Sequence, residues 1–309
     1  MIIEISHTIE YLINIYRQLK ELIVNLQEFQ EHIQKFLEYV QINKNCSEHT
    51  YRAYTCDLRS CISFWKNLEE NELCTNKKQI QHDKALHLFV HSLYKKSLSS
   101  NTIARKLSCL RSLNQYLEQQ DIKLDVALNR PRIIQQKPPT LTVEEITHLL
   151  DNVRATDLPT PTPYRDKTIL ELLYATGIKC SELIDIRIAD INIEEKAITI
   201  RQNNRAARVA YFGSKAKRRL LLYMQYERQI PKNQTEFVLL NYKHEPLTTR
   251  SIQRICTLFK SFLPSKKEIT PRILRNSFAA HMLHNGTDKH LVQKMLGLRA
   301  ATSIEKHCM

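Results

Sequence analysis

Only 4 glycines occur in the 309 residues: Gly177, Gly213, Gly286 and Gly297. All lie in the second half. A loop that cradles phosphates on backbone amides needs glycines clustered at short spacing, so neither a Walker loop nor a dinucleotide fingerprint is present. ATP- and NAD-driven chemistry is not expected. Long apolar runs are also lacking, and nothing approaches the roughly 20 consecutive apolar residues of a membrane helix. The first residues carry Glu4 and Glu10 and no apolar stretch ahead of a small-residue cleavage site, unlike a secretory signal. The 8 cysteines are scattered at 46, 56, 61, 74, 109, 180, 256 and 308 without a Cys-x-x-Cys pair. That spacing points away from zinc ribbons and disulfide frameworks and towards reduced thiols in a cytoplasm. No metal and no cofactor are expected, and no membrane contact.

Positive charge is abundant. Lysine and arginine number 46 against 32 acidic residues, a formal net charge of +14. A balance of this kind favours a polyanionic partner, nucleic acid before an anionic membrane surface. Apolar residues make up 42%, enough for packed cores, and the length suits two domains or one large one.

The first half reads as successive helices. Ile5, Ile9, Leu12, Ile15, Leu19, Leu22, Leu26 and Phe29 recur at steps of three or four, one amphipathic stripe within residues 1–40. A second helix is predicted after Ser47, with Tyr51, Tyr54, Leu58, Ile62 and Trp65 on one side. A third is predicted near Lys84–Leu93. A fourth, after Ser100-Asn101, aligns Ile103, Leu107, Leu110, Leu113 and Leu117 and carries Arg105, Lys106 and Arg111 elsewhere on its surface. These apolar stripes are expected to be core. Residues 129–140 then interrupt the pattern with three prolines and three basic residues, a stiff extended linker.

The second half mixes helices and strands. Pro159, Pro161 and Pro163 suggest a surface excursion between helices. Ile169–Ala175 reads as a helix closed by Gly177. Ala197–Ile200 and Val209–Phe212 read as a hairpin with a basic tip, and Phe237–Leu240 as a further strand. Helices are predicted over Ser214–Arg228, after Thr248 or Thr249 with Ile252, Ile255, Phe259 and Phe262 inward, from Thr270-Pro271 to Asn285-Gly286, and over Lys289–Leu296 before Gly297. His281, His284 and His290 are not spaced as a convincing metal site.

Three strings carry a resemblance. Leu172-Leu-Tyr-Ala-Thr-Gly-Ile-Lys-Cys-Ser-Glu-Leu183 resembles a signature of the tyrosine recombinase (phage integrase) family, Xer type. Ile269-Thr-Pro-Arg-Ile-Leu-Arg-Asn-Ser-Phe-Ala-Ala-His-Met-Leu-His-Asn-Gly-Thr-Asp288 is similar to its His-x-x-Arg box. Val292-Gln-Lys-Met-Leu-Gly-Leu-Arg299 resembles the segment that normally reads leucine-glycine-histidine. Ser47–Leu58 and Asn101–Leu107 match in the first half. The resemblance implies a fold that is mainly α with a small β component. An N-terminal helical core-binding (SAM-like) domain at 28–128 would follow a helical extension at 1–27. The linker at 129–140 would lead to an α+β catalytic-type domain at 141–309, C-terminally truncated relative to the family. It also implies duplex DNA as partner, clamped between the two domains.

In that family a tyrosine attacks a backbone phosphate and becomes covalently linked to it. Two arginines hold the phosphoryl oxygens, a hairpin lysine protonates the leaving oxygen, and two histidines assist. Carried over residue by residue, the first arginine falls on Lys179, which keeps charge but loses the two-pronged fork. The lysine falls on Asn203, aligned from Arg208-Val-Ala and flanked by Arg201 and Arg205. The first histidine falls on Arg272, the second arginine is Arg275, the second histidine falls on Leu298, and the nucleophile falls on His307. The expected DNA contacts are Lys179, Arg201, Arg205, Arg208, Arg272 and Arg275, with Arg105, Lys106 and Arg111 in the first domain.

One role of six is therefore intact, two keep positive charge, and three are replaced. Three readings stay open: a DNA-binding protein of recombination or integration, impaired or inactive in cleavage and acting with itself or an active paralogue; an active recombinase with an atypical site; and a decayed remnant.

Overall fold

The computed structural model describes residues 26–43, 46–73, 82–122, 128–129, 131, 137–202, 205–228 and 235–298. The chain divides into two compact units, residues 1–134 and 135–309. Among the described residues the secondary structure is mainly helical, with a small antiparallel sheet in the second unit.

The first unit contains α1 (Leu26–Asn43), α2 (Glu48–Leu73), α3 (His82–Lys95) and α4 (Ser100–Glu118). The spacing of apolar residues accounts for their packing. Phe29, Ile33, Phe36, Leu37 and Val40 bury one face of α1. They meet Leu58, Cys61 and Trp65 of α2, and Leu107, Leu110, Leu113 and Leu117 of α4, in one core. Phe29 and Trp65 lie with ring centroids 5.2 Å apart. Each fully buried side chain of this size contributes about 1.5–3 kcal/mol. The stripe at residues 5–22 lies outside the described residues. Helix α4 starts slightly earlier than its sequence suggests, because the Ser99 hydroxyl accepts from the Thr102 amide at 3.2 Å and caps it.

The second unit opens with a capping box. Thr142 accepts from the Glu145 amide, and Glu145 accepts from the Thr142 amide. This starts α5 (Val143–Thr147), which continues as one π-helical turn over His148–Asn152. The end of that turn is held by a buried lysine: Lys167 Nζ donates to the carbonyls of Leu149, Leu150 and Val153 at 2.9, 2.7 and 2.6 Å. Lys167 belongs to α6 (Pro163–Thr176), which is buried on nearly every side. Pro163 is therefore the first residue of a core helix and not part of a surface excursion. The Glu227 carboxylate accepts from the free Tyr164 and Arg165 amides at its start. Gly177 ends it in the left-handed conformation at φ 59°.

A short helix, α7 (Cys180–Ile184), leads into the sheet of β1 (Ile191–Asn192), β2 (Ala197–Gln202) and β3 (Arg205–Tyr211). The order is β1-β2-β3, all antiparallel, with Thr199 opposite Val209 and Gln202 opposite Arg205. Strand β1 is an addition to the expected hairpin. Phe237–Leu240 is not a strand. It makes isolated bridges at Phe237 and Leu240 and no continuous ladder. The Val238 amide donates to the Ile186 carbonyl, while the Tyr223 hydroxyl donates to the Val238 carbonyl and accepts from the Leu240 amide. A run of buried residues here reflects a burrowing connection, not a ladder.

Three further helices matter for the site, besides α8 (Ser214–Tyr226), which packs on α6: α9 (Thr249–Leu258), α10 (Pro271–His284) and α11 (Lys289–Leu296). Thr248 caps α9 and Thr270 caps α10, each through its hydroxyl. The expected long face ending at Phe262 is split, since Phe259–Phe262 tightens into a 3-10 turn. Gly297 ends α11 at φ 63°. The principal core gathers α5, α6, α9 and the sheet, while Phe278, Ala279, Val292 and Leu296 form a smaller cluster of their own. Among the described residues no helix is long and apolar enough to cross a membrane.

Candidate nucleic-acid interface

The turn between α6 and α7 carries the site. Its backbone reverses at Gly177, where a side chain has no room: a Cβ there would run into the Phe278 ring and lie 2.8 Å from Leu296 Cδ2. Two residues on, Lys179 stands ahead of α7 with about half of its side chain exposed. Its amide donates to the Glu182 carboxylate at 2.8 Å, and its ammonium lies 3.7 Å from the same group.

Glu182 is also gripped from the sheet. Arg208 Nη1 and Nη2 donate to its two oxygens at 3.0 and 2.8 Å, and Arg208 Nε donates to the Met295 carbonyl at 2.9 Å. Burial opposes ionisation of Glu182. The Arg208 hydrogen bonds and the Lys179 amide outweigh it and hold the carboxyl below its usual range.

Arg275, on α10, closes the same corner. Nη1 donates to the Gly177 carbonyl at 2.6 Å and Nη2 to the Leu296 carbonyl at 2.7 Å. Burial lowers its pKa to about 10, with Glu182 opposing that shift, so it is cationic at neutral pH. A guanidinium has five N–H donors and these bonds use two. Arg272, three residues earlier on α10, shares that face of the helix and is exposed. Leu298 follows the α11 cap and packs against the small cluster of Phe278 and Leu296.

Lys179, Arg275 and Leu298 thus meet around the Gly177 turn and the end of α11, with Arg272 one helical turn from Arg275. Asn203 and His307 lie outside the described residues. Arg205 lies in β3 opposite Gln202. Arg201 is largely exposed but paired with the buried Asp190, at 2.7 Å. Arg208 is turned inward, its side chain only 11% exposed. In the first unit, Arg105 and Lys106 both bind the buried carboxylate of Asp57, the latter at 3.0 Å. Arg111 Nε donates to the Leu128 carbonyl at 3.0 Å.

Sequence reasoning missed Glu182 as the hub. Its signal was present, since a glutamate three residues after the residue preceding a helix is the reciprocal capping position. His281 has a structural partner, with Nδ1 3.0 Å from the Tyr174 hydroxyl, and burial lowers its pKa. Among the described residues no group of three or more His, Cys, Asp or Glu could hold a metal ion.

Comparison with known proteins places the chain's family and fold. The sequence model of the Phage integrase family matches residues 139–306, and that of the Phage integrase N-terminal SAM-like domain matches residues 33–121. Tyrosine recombinase XerC of Oceanobacillus iheyensis is 32% identical over 287 residues, covering 91% of this chain and 92% of the relative. Tyrosine recombinase XerD of Staphylococcus haemolyticus is 32% identical, covering 86% and 89%. The XerH site-specific recombinase, solved bound to its difH substrate, superposes with a TM-score of 0.71 at 16% identity, over 92% of this chain and 94% of that one. A lambda integrase dimer on a COC' core site gives 0.66 at 13% identity, over 90% and 94%. The chain belongs to the phage integrase family of tyrosine recombinases. A helical SAM-like domain followed by a mixed catalytic-type domain is the fold of that family.

Proposed function

We propose that this protein binds duplex DNA in recombination or integration and is impaired or inactive in strand cleavage. The observation that carries the reading is the convergence of Lys179 and Arg275 on the Gly177 turn, with Arg272 exposed one turn along α10. Three cations in this arrangement suit one backbone phosphate. The aligned proton-transfer positions hold Asn203 and Leu298, which cannot act as acids, and the aligned nucleophile position holds His307. Binding without leaving-group chemistry adds affinity and no rate. The domains are proposed as 28–128 and 141–309 joined by 129–140. The partner is duplex DNA, with a second copy or an active paralogue across the synapse, in the cytoplasm. The net charge of +14 and the DNA-bound state of the solved relatives support this.

The test mixes the full chain with duplex fragments of its host's DNA and splits the sample before and after detergent. Salt-sensitive binding that detergent abolishes is expected. A detergent-resistant adduct that disappears in His307→Ala would replace this reading with that of an active recombinase. Binding with no preferred fragment would favour a decayed remnant.

A further inference from the structure

Two guanidiniums from different elements hold the same two segments. Arg275 ties the Gly177 carbonyl to the Leu296 carbonyl. Arg208 ties Glu182, five residues beyond Gly177, to the Met295 carbonyl, one residue before Leu296. We propose that Arg208 is a positioning residue for the phosphate site, acting through Glu182 on Lys179 and through the end of α11 on Arg275. This rests on the phosphate-binding reading above.

The geometry favours this task over a DNA contact. Arg208 grips both oxygens of Glu182 and spends Nε on Met295, so all three nitrogens have internal partners. Its side chain is 11% exposed and that of Glu182 is 9% exposed, against 48% for Lys179. A phosphate would reach Lys179 first, and would reach Arg208 only by breaking the fork. Glu182 in turn holds the Lys179 amide, which fixes where α7 begins and where the Lys179 side chain leaves the backbone. Arg208 also places a positive group against the carbonyl end of α11, where the helix dipole favours it. The Leu296 carbonyl, next in that row, is the one Arg275 uses.

Charge alone and positioning predict opposite signs at Glu182. Removing a carboxylate beside Lys179 makes the neighbourhood more positive, so long-range attraction would tighten duplex binding. Positioning requires binding to weaken, because Lys179 loses its anchor.

The experiment uses the full chain with Arg208→Gln, Arg208→Lys, Glu182→Gln and the double variant Arg208→Gln/Glu182→Gln. Hydrogen exchange across 177–183 reads the anchor. Fluorescence anisotropy on a labelled duplex at several salt concentrations reads binding. Arg208→Gln and Glu182→Gln should each speed exchange and weaken binding by roughly three- to tenfold, with the double variant no worse than either. The slope of log affinity against log salt should stay unchanged, whereas loss of a direct phosphate contact lowers it by about 0.9. Lysine at 208 should not rescue, since it cannot grip both carboxylate oxygens. The double variant leaves neither charge unpaired, which protects the comparison if Arg208→Gln unfolds. Tighter binding by Glu182→Gln, a fall of one contact in the slope for Arg208→Gln, or unchanged exchange would each overturn the proposal. A parent protein that ignores duplex altogether overturns the phosphate reading instead, and exchange across 177–183 then decides the anchoring alone.

Discussion

The Arg275 guanidinium lies 2.6 Å from the carbonyl oxygen of Gly177, a residue 98 positions earlier in the chain. Arg275 is thus a fastener between α10 and the turn that carries Lys179. Arg275→Gln removes a charge-assisted bond at Gly177 and another at Leu296. A loss of about 2–4 kcal/mol is expected, from about 1.5–3 per bond with partial repair by the amide. Urea denaturation of the second unit's transition measures it, and a loss below half a kcal/mol would show that the carbonyls find other partners.

Gly177→Ala tests the turn itself. The residue has φ 59°, and a methyl group would enter the Phe278 ring and crowd Leu296. Backbone strain of about 1–2 kcal/mol and overpacking of about 1–3 kcal/mol act together. Thermal melting should fall by several degrees. A shortened partner, Phe278→Leu, should recover part of the loss in the double variant.

Lys167 supplies a pH dependence with a definite sign. Burial lowers its pKa to about 8 from the ordinary 10.5, with Arg219 adding to the shift. Between those values the unfolded chain binds more protons than the folded one, so this residue makes stability rise with pH across that window. Below pH 8 it contributes no slope. The difference in unfolding free energy between the parent and Lys167→Met, followed from pH 7 to 10.5, should show this rise. The variant should also be less stable throughout, because the carbonyls of Leu149, Leu150 and Val153 lose their donor.

Asp57 anchors two cations of α4 from within α2. Asp57→Asn should destabilise the first unit by about 3 kcal/mol, the lower end for a broken buried pair because Arg105 is half exposed. Circular dichroism during urea unfolding reads it. Duplex affinity at low salt should rise if the freed Arg105 reaches phosphate, and remain unchanged if it does not.

Much of the fold was legible because its signals are local. The periodic apolar positions of α1, α2 and α4 and the threonine caps of α9 and α10 need only a few neighbouring residues to act. The short β1 was not legible, since two residues carry no period. Phe237–Leu240 misled for the opposite reason: four apolar residues look like a strand whether their amides meet a ladder or the Tyr223 hydroxyl. In the candidate site, the family motifs singled out Lys179 and Arg275, and passed over Glu182 although it stands in the same string as Lys179. Which carboxylate Arg208 faces is decided by the meeting of β3 with α7, and nothing in either segment alone specifies it. Arg105, Lys106 and Arg201 look like free surface cations in sequence because the acids that hold them, Asp57 and Asp190, are distant or buried.

The separate cluster of Phe278, Ala279, Val292 and Leu296 gives α11 a fate of its own. Only two of those four side chains belong to α11, so about 3–6 kcal/mol of apolar burial secures the helix, helped by Arg208 and Arg275 at its carbonyl end. Its amides should therefore exchange with solvent through a local opening well below the global unfolding energy, while those of α6 wait for the whole unit to open. The helix is a hinged leaf on a rigid board, and Leu298, packed on the same cluster, travels with it.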